Sequence, residues 1–112
     1  MTSTVASLAG VPVLICPAQG PALDEQGALD LIGDAGYHGV EWVAVPVSRC
    51  PEEFFSLRSG LLGAVTQKFV NYRLRLAIVG DVSDHVARSD ALRDYVREAN
   101  RGRQIWFVDS QD

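Results

Sequence analysis

Four short runs limit what this chain can fold into more than anything else in it: VLIC at Val13 to Cys16, VEWVAV at Val40 to Val45, LAIV at Leu76 to Val79 and IWFV at Ile105 to Val108. Each is β-branched or aromatic in flavour and too short for a helix, so each reads as a strand buried on both faces. Between them lie stretches of helical period. Ala28, Ile32 and Ala35 keep one side of Leu23 to Tyr37 apolar, and Gly36 and Gly39 flank its exit. In the last stretch Ser89 reads as an N-cap, Leu92, Tyr95, Val96 and Ala99 fall on one face, and Gly102 sits where a C-terminal cap is wanted. Alternation of strand and helix at this spacing predicts an α/β domain, because parallel neighbours need crossovers of a dozen or more residues. Thr4 to Leu8, followed by Ala9-Gly10, adds an N-terminal hairpin. The expected sheet is therefore mixed but largely parallel, with four to five strands.

The 112 residues, 47% hydrophobic and 21% charged, form one domain over residues 1–112, large enough to bury on the order of two-thirds of its unfolded surface. A net charge of -4 argues against nucleic acid as a partner, since backbone affinity comes from clustered Lys and Arg. Arg93, Arg97, Arg101 and Arg103 do gather near the end, but Asp90, Asp94 and Glu98 interleave with them as on a solvated helix face. Apolar runs fall far short of the roughly 20 residues that span a bilayer, and no basic segment precedes the N-terminal apolar residues. We therefore expect a cytoplasmic protein with no membrane partner. Cys16 and Cys50 lack metal-ligand spacing and read as reduced thiols; neither His38 nor His85 joins them. No nucleotide-loop, dinucleotide or nucleophile-elbow motif occurs, so no cofactor and no metal is expected.

The stretch Ser56 to Asp81, SLRSGLLGAVTQKFVNYRLRLAIVGD, holds the main binding candidates. Pro51 with Glu52 and Glu53 opens a short helix, and Ser59 begins or re-caps a second. Leu62, Val65, Phe69 and Tyr72 form an ordinary packing stripe. On another side stand Gly60, Gly63, Gln67 and Asn71: glycines that permit close backbone approach, at roughly 1 kcal/mol each against Ala, and amides with donors and acceptors to offer. One reading is helix-on-helix packing, within the monomer or across a dimer. The other is a contact surface for a partner, rimmed by Arg58 and Lys68.

QKFVNYRLRLAIVGD, with EEFFSLRSGLLG before it and LRDYVREANRGRQIWFVD after it, resembles a family of short bacterial proteins catalogued only as a domain of unknown function. Those relatives are similar to the STAS group, the fold of anti-sigma-factor antagonists, and the resemblance runs from about Leu29 to Asp109. It implies a mixed sheet with an N-terminal hairpin and a regulatory, protein-binding role. In the antagonists an Asp-Ser-Ser-Gly motif carries a phosphorylated Ser at a helix start. The nearest match is Leu57-Arg58-Ser59-Gly60, in which Leu57 replaces the Asp and Arg58 stands at the first Ser. A phosphate on Ser59 would gain from the helix N-terminus and from Arg58.

Strand ends offer a second class of chemistry, since ligands of open α/β sheets settle beyond the carboxyl ends of the strands. Asp81, directly after Gly80, would serve as a base or metal ligand if Asp109 lay beside it. Against this, Asp81 and Ser83 are the residue types that hydrogen-bond a turn into a helix. Trp42 and Trp106 read as core or as the lining of a dimer interface. The chain ends soon after the last strand, where the relatives look as if a further helix follows. A parallel sheet wants both faces covered, so self-association over that region or loss of a terminal helix is expected. The first reading is thus a non-catalytic interaction module; the alternative is a small enzyme or metabolite-binding protein using Asp81 and Asp109.

Overall fold

A computed structural model describes residues 4–8 and 10–109. Ala9, expected in the hairpin turn, and Ser110, expected beyond the last strand, lie outside the described residues. The elements run in the order β1 (Thr4–Leu8), β2 (Val11–Ile15), α1 (Glu25–His38), β3 (Trp42–Pro46), α2 (Leu61–Asn71), β4 (Arg75–Val79), α3 (Ser83–Arg88), α4 (Asp90–Arg101) and β5 (Ile105–Val108). The five strands form one sheet in the order β1-β2-β3-β4-β5. β1 pairs with β2 antiparallel, and the remaining pairs are parallel. The mixed α/β sheet with its N-terminal hairpin is thus present.

Sequential strand order has a geometric consequence. Every parallel connection steps in the same direction across the sheet, and right-handed crossovers then lay every helix on the same face. The core agrees. Leu14, Val43, Val45, Leu76, Ile78, Ile105 and Phe107 of the strands share one apolar cluster with Ala28, Leu31, Ile32 and Ala35 of α1, Leu62, Val65 and Phe69 of α2, and Leu92 of α4. All these strand residues lie on one side by register. Val13 and Ala44, which point the other way, are buried yet stand outside that cluster.

Local signals place most helix ends. Asp24 caps α1 by accepting from the Gly27 N–H at 2.8 Å, and Gly39 closes it at φ 68°. Ser89 caps α4 through the Leu92 N–H, as its position suggested. The segment after β3 differs from expectation. Instead of a short α-helix, it makes three 3-10 turns at Val47–Arg49, Glu52–Phe55 and Leu57–Ser59. Phe54 and Phe55 are both buried from one such turn. α2 begins only after Gly60, at φ 76°, so Ser59 ends a turn and supports the helix start by accepting from the Leu61 N–H. Leu62, Val65 and Phe69 bury as expected, whereas Tyr72, one residue past the helix, is 59% exposed.

Candidate functional site

The strand runs were expected to be buried on both faces, and this is where the structure departs most. Register groups the helix-free face into rows: Val13, Trp42 and Arg75; Ile15, Ala44, Ala77 and Trp106; Pro46, Val79 and Val108. Except for Arg75 these side chains are apolar, yet Ile15, Trp42, Pro46, Ala77, Val79 and Val108 are only partly buried and Trp106 is 37% exposed. The residues alternate apolar with apolar, so the pattern resembles a two-sided core strand while one side has no layer over it among the described residues.

Tryptophan supplies a partial roof. Trp42 on β3 and Trp106 on β5 flank β4, about two strand spacings apart, on the order of 10 Å. Their rings nonetheless meet, centroids 4.7 Å apart and tilted at 45°, which the small Ala77 between them permits. Arg75 stands beside the pair with its guanidinium carbon 5.7 Å from the Trp42 ring, close enough for a cation–π contact. The Trp106 indole N–H donates to the Gly102 carbonyl at 2.7 Å, fixing the ring by its edge. Both Trp therefore lie on the helix-free face and outside the helix-side core.

The residues proposed on the central helix fall into separate settings. Gly60, Gly63, Gln67 and Asn71 are all exposed. A Cβ placed on Gly60 or Gly63 would have no neighbour within 4 Å among the described residues, so no other element of the monomer packs there. The Gln67 amide donates to Asn71 Oδ1 at 2.9 Å, and Lys68 pairs with Glu25 of α1 at 3.5 Å. Helix-on-helix packing of this face within the monomer is not found; its openness is a requirement of a docking face and is shared with ordinary exterior. Arg58 lies apart, in the turn before Gly60, lining a surface cleft against α3 and α4. The Ser59 hydroxyl shares its one proton between the carbonyls of Glu53 and Ser56 while accepting from the Leu61 N–H, so it holds the turn together.

Asp81 and Asp109 are both exposed at the carboxyl ends of neighbouring strands. Asp81 Oδ1 accepts the Ser83 N–H at 2.8 Å, the turn-forming role weighed against catalysis in the sequence. Hydrogen bonds from Ser83, through its side chain first and its backbone second, hold the Asp81 carboxyl below the usual carboxylate range. That makes it a weaker base, the reverse of what proton abstraction near neutrality requires. Strand order adds a second physical argument: it never reverses within the parallel part, so the crevice that forms at a topological switch point has no place to form. Among the described residues no three His, Cys, Asp or Glu side chains group as metal ligands.

Sequence reasoning passed over Arg49. It is 8% exposed, and its Nε and Nη1 donate to the carbonyls of Pro21 and Pro17 at 2.7 and 3.0 Å. Gly20 lies flat against it, since a Cβ there would stand 2.8 Å from the guanidinium carbon. The signal was the loop CPAQGPAL: two prolines have no N–H to give, so the loop is rich in acceptors and wants a donor. Cys50, next in sequence, is pushed up to about 12 by burial, with Arg49 opposing only in part, so its thiol is not nucleophilic. No helix among the described residues is long and apolar enough to cross a membrane.

No curated protein and no solved structure matches the chain. A family model does, and it covers residues 8–112, which takes in every element from the end of β1 to β5. With nearly the whole chain matched, the protein belongs to the family described as Domain of unknown function (DUF4180).

Proposed function

We propose that this protein is a non-catalytic, STAS-like regulatory module of the bacterial cytoplasm that works by protein–protein contact, through stacking of its helix-free sheet face on a second copy of itself. The observation behind it is the apolar, only partly covered face around Trp42, Ala77, Val79 and Trp106. Sheets with parallel strands are ordinarily covered on both sides. A two-fold related copy suits this face because isologous contacts place opposite ends of the same patch together. With the strands of the two copies antiparallel, the Trp42 row of one meets the smaller Pro46, Val79 and Val108 row of the other, and the middle row that holds Trp106 meets its own copy. Arg75, the charged side chain in the rows named above, is then brought toward the carboxyl edge, where Asp81 and Asp109 stand.

Size sets the expected strength. Five strands about 4.8 Å apart and five residues long at about 3.3 Å give a plan area of roughly 400 Å² per copy. That is the low end for specific interfaces, so a reversible dimer with a dissociation constant on the order of micromolar is expected. Gly60, Gly63, Gln67 and Asn71, rimmed by Lys68, remain our proposed contact for a further protein partner, supported by the open space over Gly63 among the described residues.

Sedimentation equilibrium on the full chain from about 1 to 100 µM brackets that range. The mass of wild type should rise from one chain toward two. Trp106→Asp and Ala77→Lys should stay at one chain while keeping their far-ultraviolet circular dichroism, and Asn71→Arg should dimerise like wild type. A wild type that stays monomeric throughout, or a folded Ala77→Lys that dimerises unchanged, overturns the reading.

A further inference from the structure

Away from the bare sheet face, a cleft of about 410 Å³ lies between the 3-10 turns that follow β3 and the α3–α4 pair. Arg58 lines it from the turn side and Arg88 from the end of α3, with Ser56, Ser89, Phe55 and His85 around them. This is an acidic chain, with 14 Asp and Glu against 10 Lys and Arg. Even so, neither guanidinium has a carboxylate within 4.0 Å among the described residues, although Glu52 lines the same cleft. Two arginine forks on one concavity, neither of them ion-paired among the described residues, are a donor set that oxyanions recognise well.

Neighbouring groups point the same way. Arg88 is held from two sides: its Nε donates to the Asp84 carbonyl at 3.2 Å, and its Nη2 lies 3.2 Å from His85 Nδ1. Arginine has no acceptor, so in this contact it is the donor. The His85 ring is fixed in turn by stacking on Phe55, centroids 3.9 Å apart and planes at 13°. Ser89 Oγ accepts from Leu92 at the start of the 12-residue α4, so its hydroxyl proton is still available, and Ala91 of the first turn also lines the cleft. That helix start adds partial positive charge and unsatisfied N–H groups.

The space exceeds what one inorganic ion needs. At about 30 Å³ per water the cleft has room for on the order of a dozen waters, and it lies within the usual range for small-molecule pockets. Part of its wall is the stacked Phe55–His85 pair with Leu57 and Ala91. We propose that this cleft binds a small organic phosphate, Arg58 and Arg88 holding the phosphate while the Phe55–His85 wall takes the organic body. The site is independent of self-association, and either can fail without the other.

Phenyl phosphate and inorganic phosphate, each titrated into the full-length protein at constant ionic strength and followed by amide chemical shifts, test this. Phenyl phosphate should give saturable shifts confined to Ser56–Ser59 and His85–Ala91 with a dissociation constant of about 1 mM or tighter, and inorganic phosphate should bind several-fold more weakly. Arg58→Gln and Arg88→Gln should each weaken phenyl phosphate about tenfold, an effect of about 1.4 kcal/mol. Arg97→Gln, which does not line the cleft, should bind as wild type. Among the described residues Arg58 makes no hydrogen bond or ion pair that organises the fold, so its variant reads binding even if Arg88→Gln disturbs His85. No saturation, shifts elsewhere on the molecule, equal responses to sodium sulfate and phenyl phosphate, or an Arg58→Gln that binds unchanged would each overturn the proposal.

Discussion

Gly27 in α1 and Gly63 in α2 look alike as helical glycines in the sequence, yet their surroundings give them opposite expectations. A Cβ on Gly27 would stand 2.3 Å from the Ala22 carbonyl oxygen, a backbone atom that cannot swing aside. The loop entering α1 is therefore built against a bare helix position, and Gly27→Ala should destabilise by about 1–3 kcal/mol, in the range of overpacked sites. A Cβ on Gly63 would meet nothing within 4 Å. There the helix propensity of Ala is gained without a clash, so Gly63→Ala should stabilise the isolated chain by about 0.5–1 kcal/mol. Urea unfolding of both variants against wild type checks the pair. Two destabilised variants would mean that something covers Gly63 in solution. The same scale also bears on Ser59, whose hydroxyl already donates within its turn. Esterifying it would remove those bonds before any new one with Arg58 could form, so the electrostatic fit legible in Arg58-Ser59-Gly60 is offset by local structure.

Among the elements, the loop between β2 and α1 is organised from a distance by Arg49 at the end of the turn after β3, 28 and 32 residues from its acceptors Pro21 and Pro17. Hydrogen bonds to charged groups contribute about 1.5–3 kcal/mol each. Arg49→Met keeps much of the stem packing and loses both bonds, so it should cost about 2–4 kcal/mol and open the loop over residues 17–23 to proteolysis ahead of the remaining chain. Limited digestion with peptide mapping decides between this and a loop that holds by itself. This contact also shows where sequence reading stops. Helix stripes, the Ser89 cap, the Gly39 exit and the strand cores depend on neighbours within about a turn, and those were legible, whereas the Asp24 cap of α1 went unread. The three 3-10 turns were not, because Pro51-Glu52-Glu53 is as good a start for an α-helix as for a tighter turn, and burial of Phe54 and Phe55 is what decides. Arg49 was illegible as a clamp for a related reason: its partners are carbonyls, which every residue has. The two-sided appearance of the strands was a different failure. Apolar alternation reports that both faces avoid polar groups, whereas which face receives a helix follows from strand order, and no local pattern encodes that order.

For the whole molecule, strand order and the position of the helices make one statement. A sheet that grows in a single direction keeps all its crossover helices on one side, and this chain then furnishes the other side with two tryptophans, valines and alanines, Arg75 being the charged member of the rows named above. Monomers with one-sided layers usually make the free face polar, as antiparallel sheets with a wet side do. An apolar face kept bare would expose a contiguous patch of the kind that marks interaction sites. If the occupant is a second copy, folding and association are linked, and stability must depend on chain concentration. Once most chains are paired, free monomer rises only as the square root of the total, so each tenfold increase in concentration adds about 0.7 kcal/mol per chain. For a domain of this size that corresponds to a rise in Tm of about 3–5 °C. Differential scanning calorimetry at several concentrations above the dissociation constant should show that rise in wild type and a flat Tm in Ala77→Lys. A wild-type Tm independent of concentration would mean that the indole pair leaning over Ala77 is cover enough, and that the face stays uncovered by any second chain.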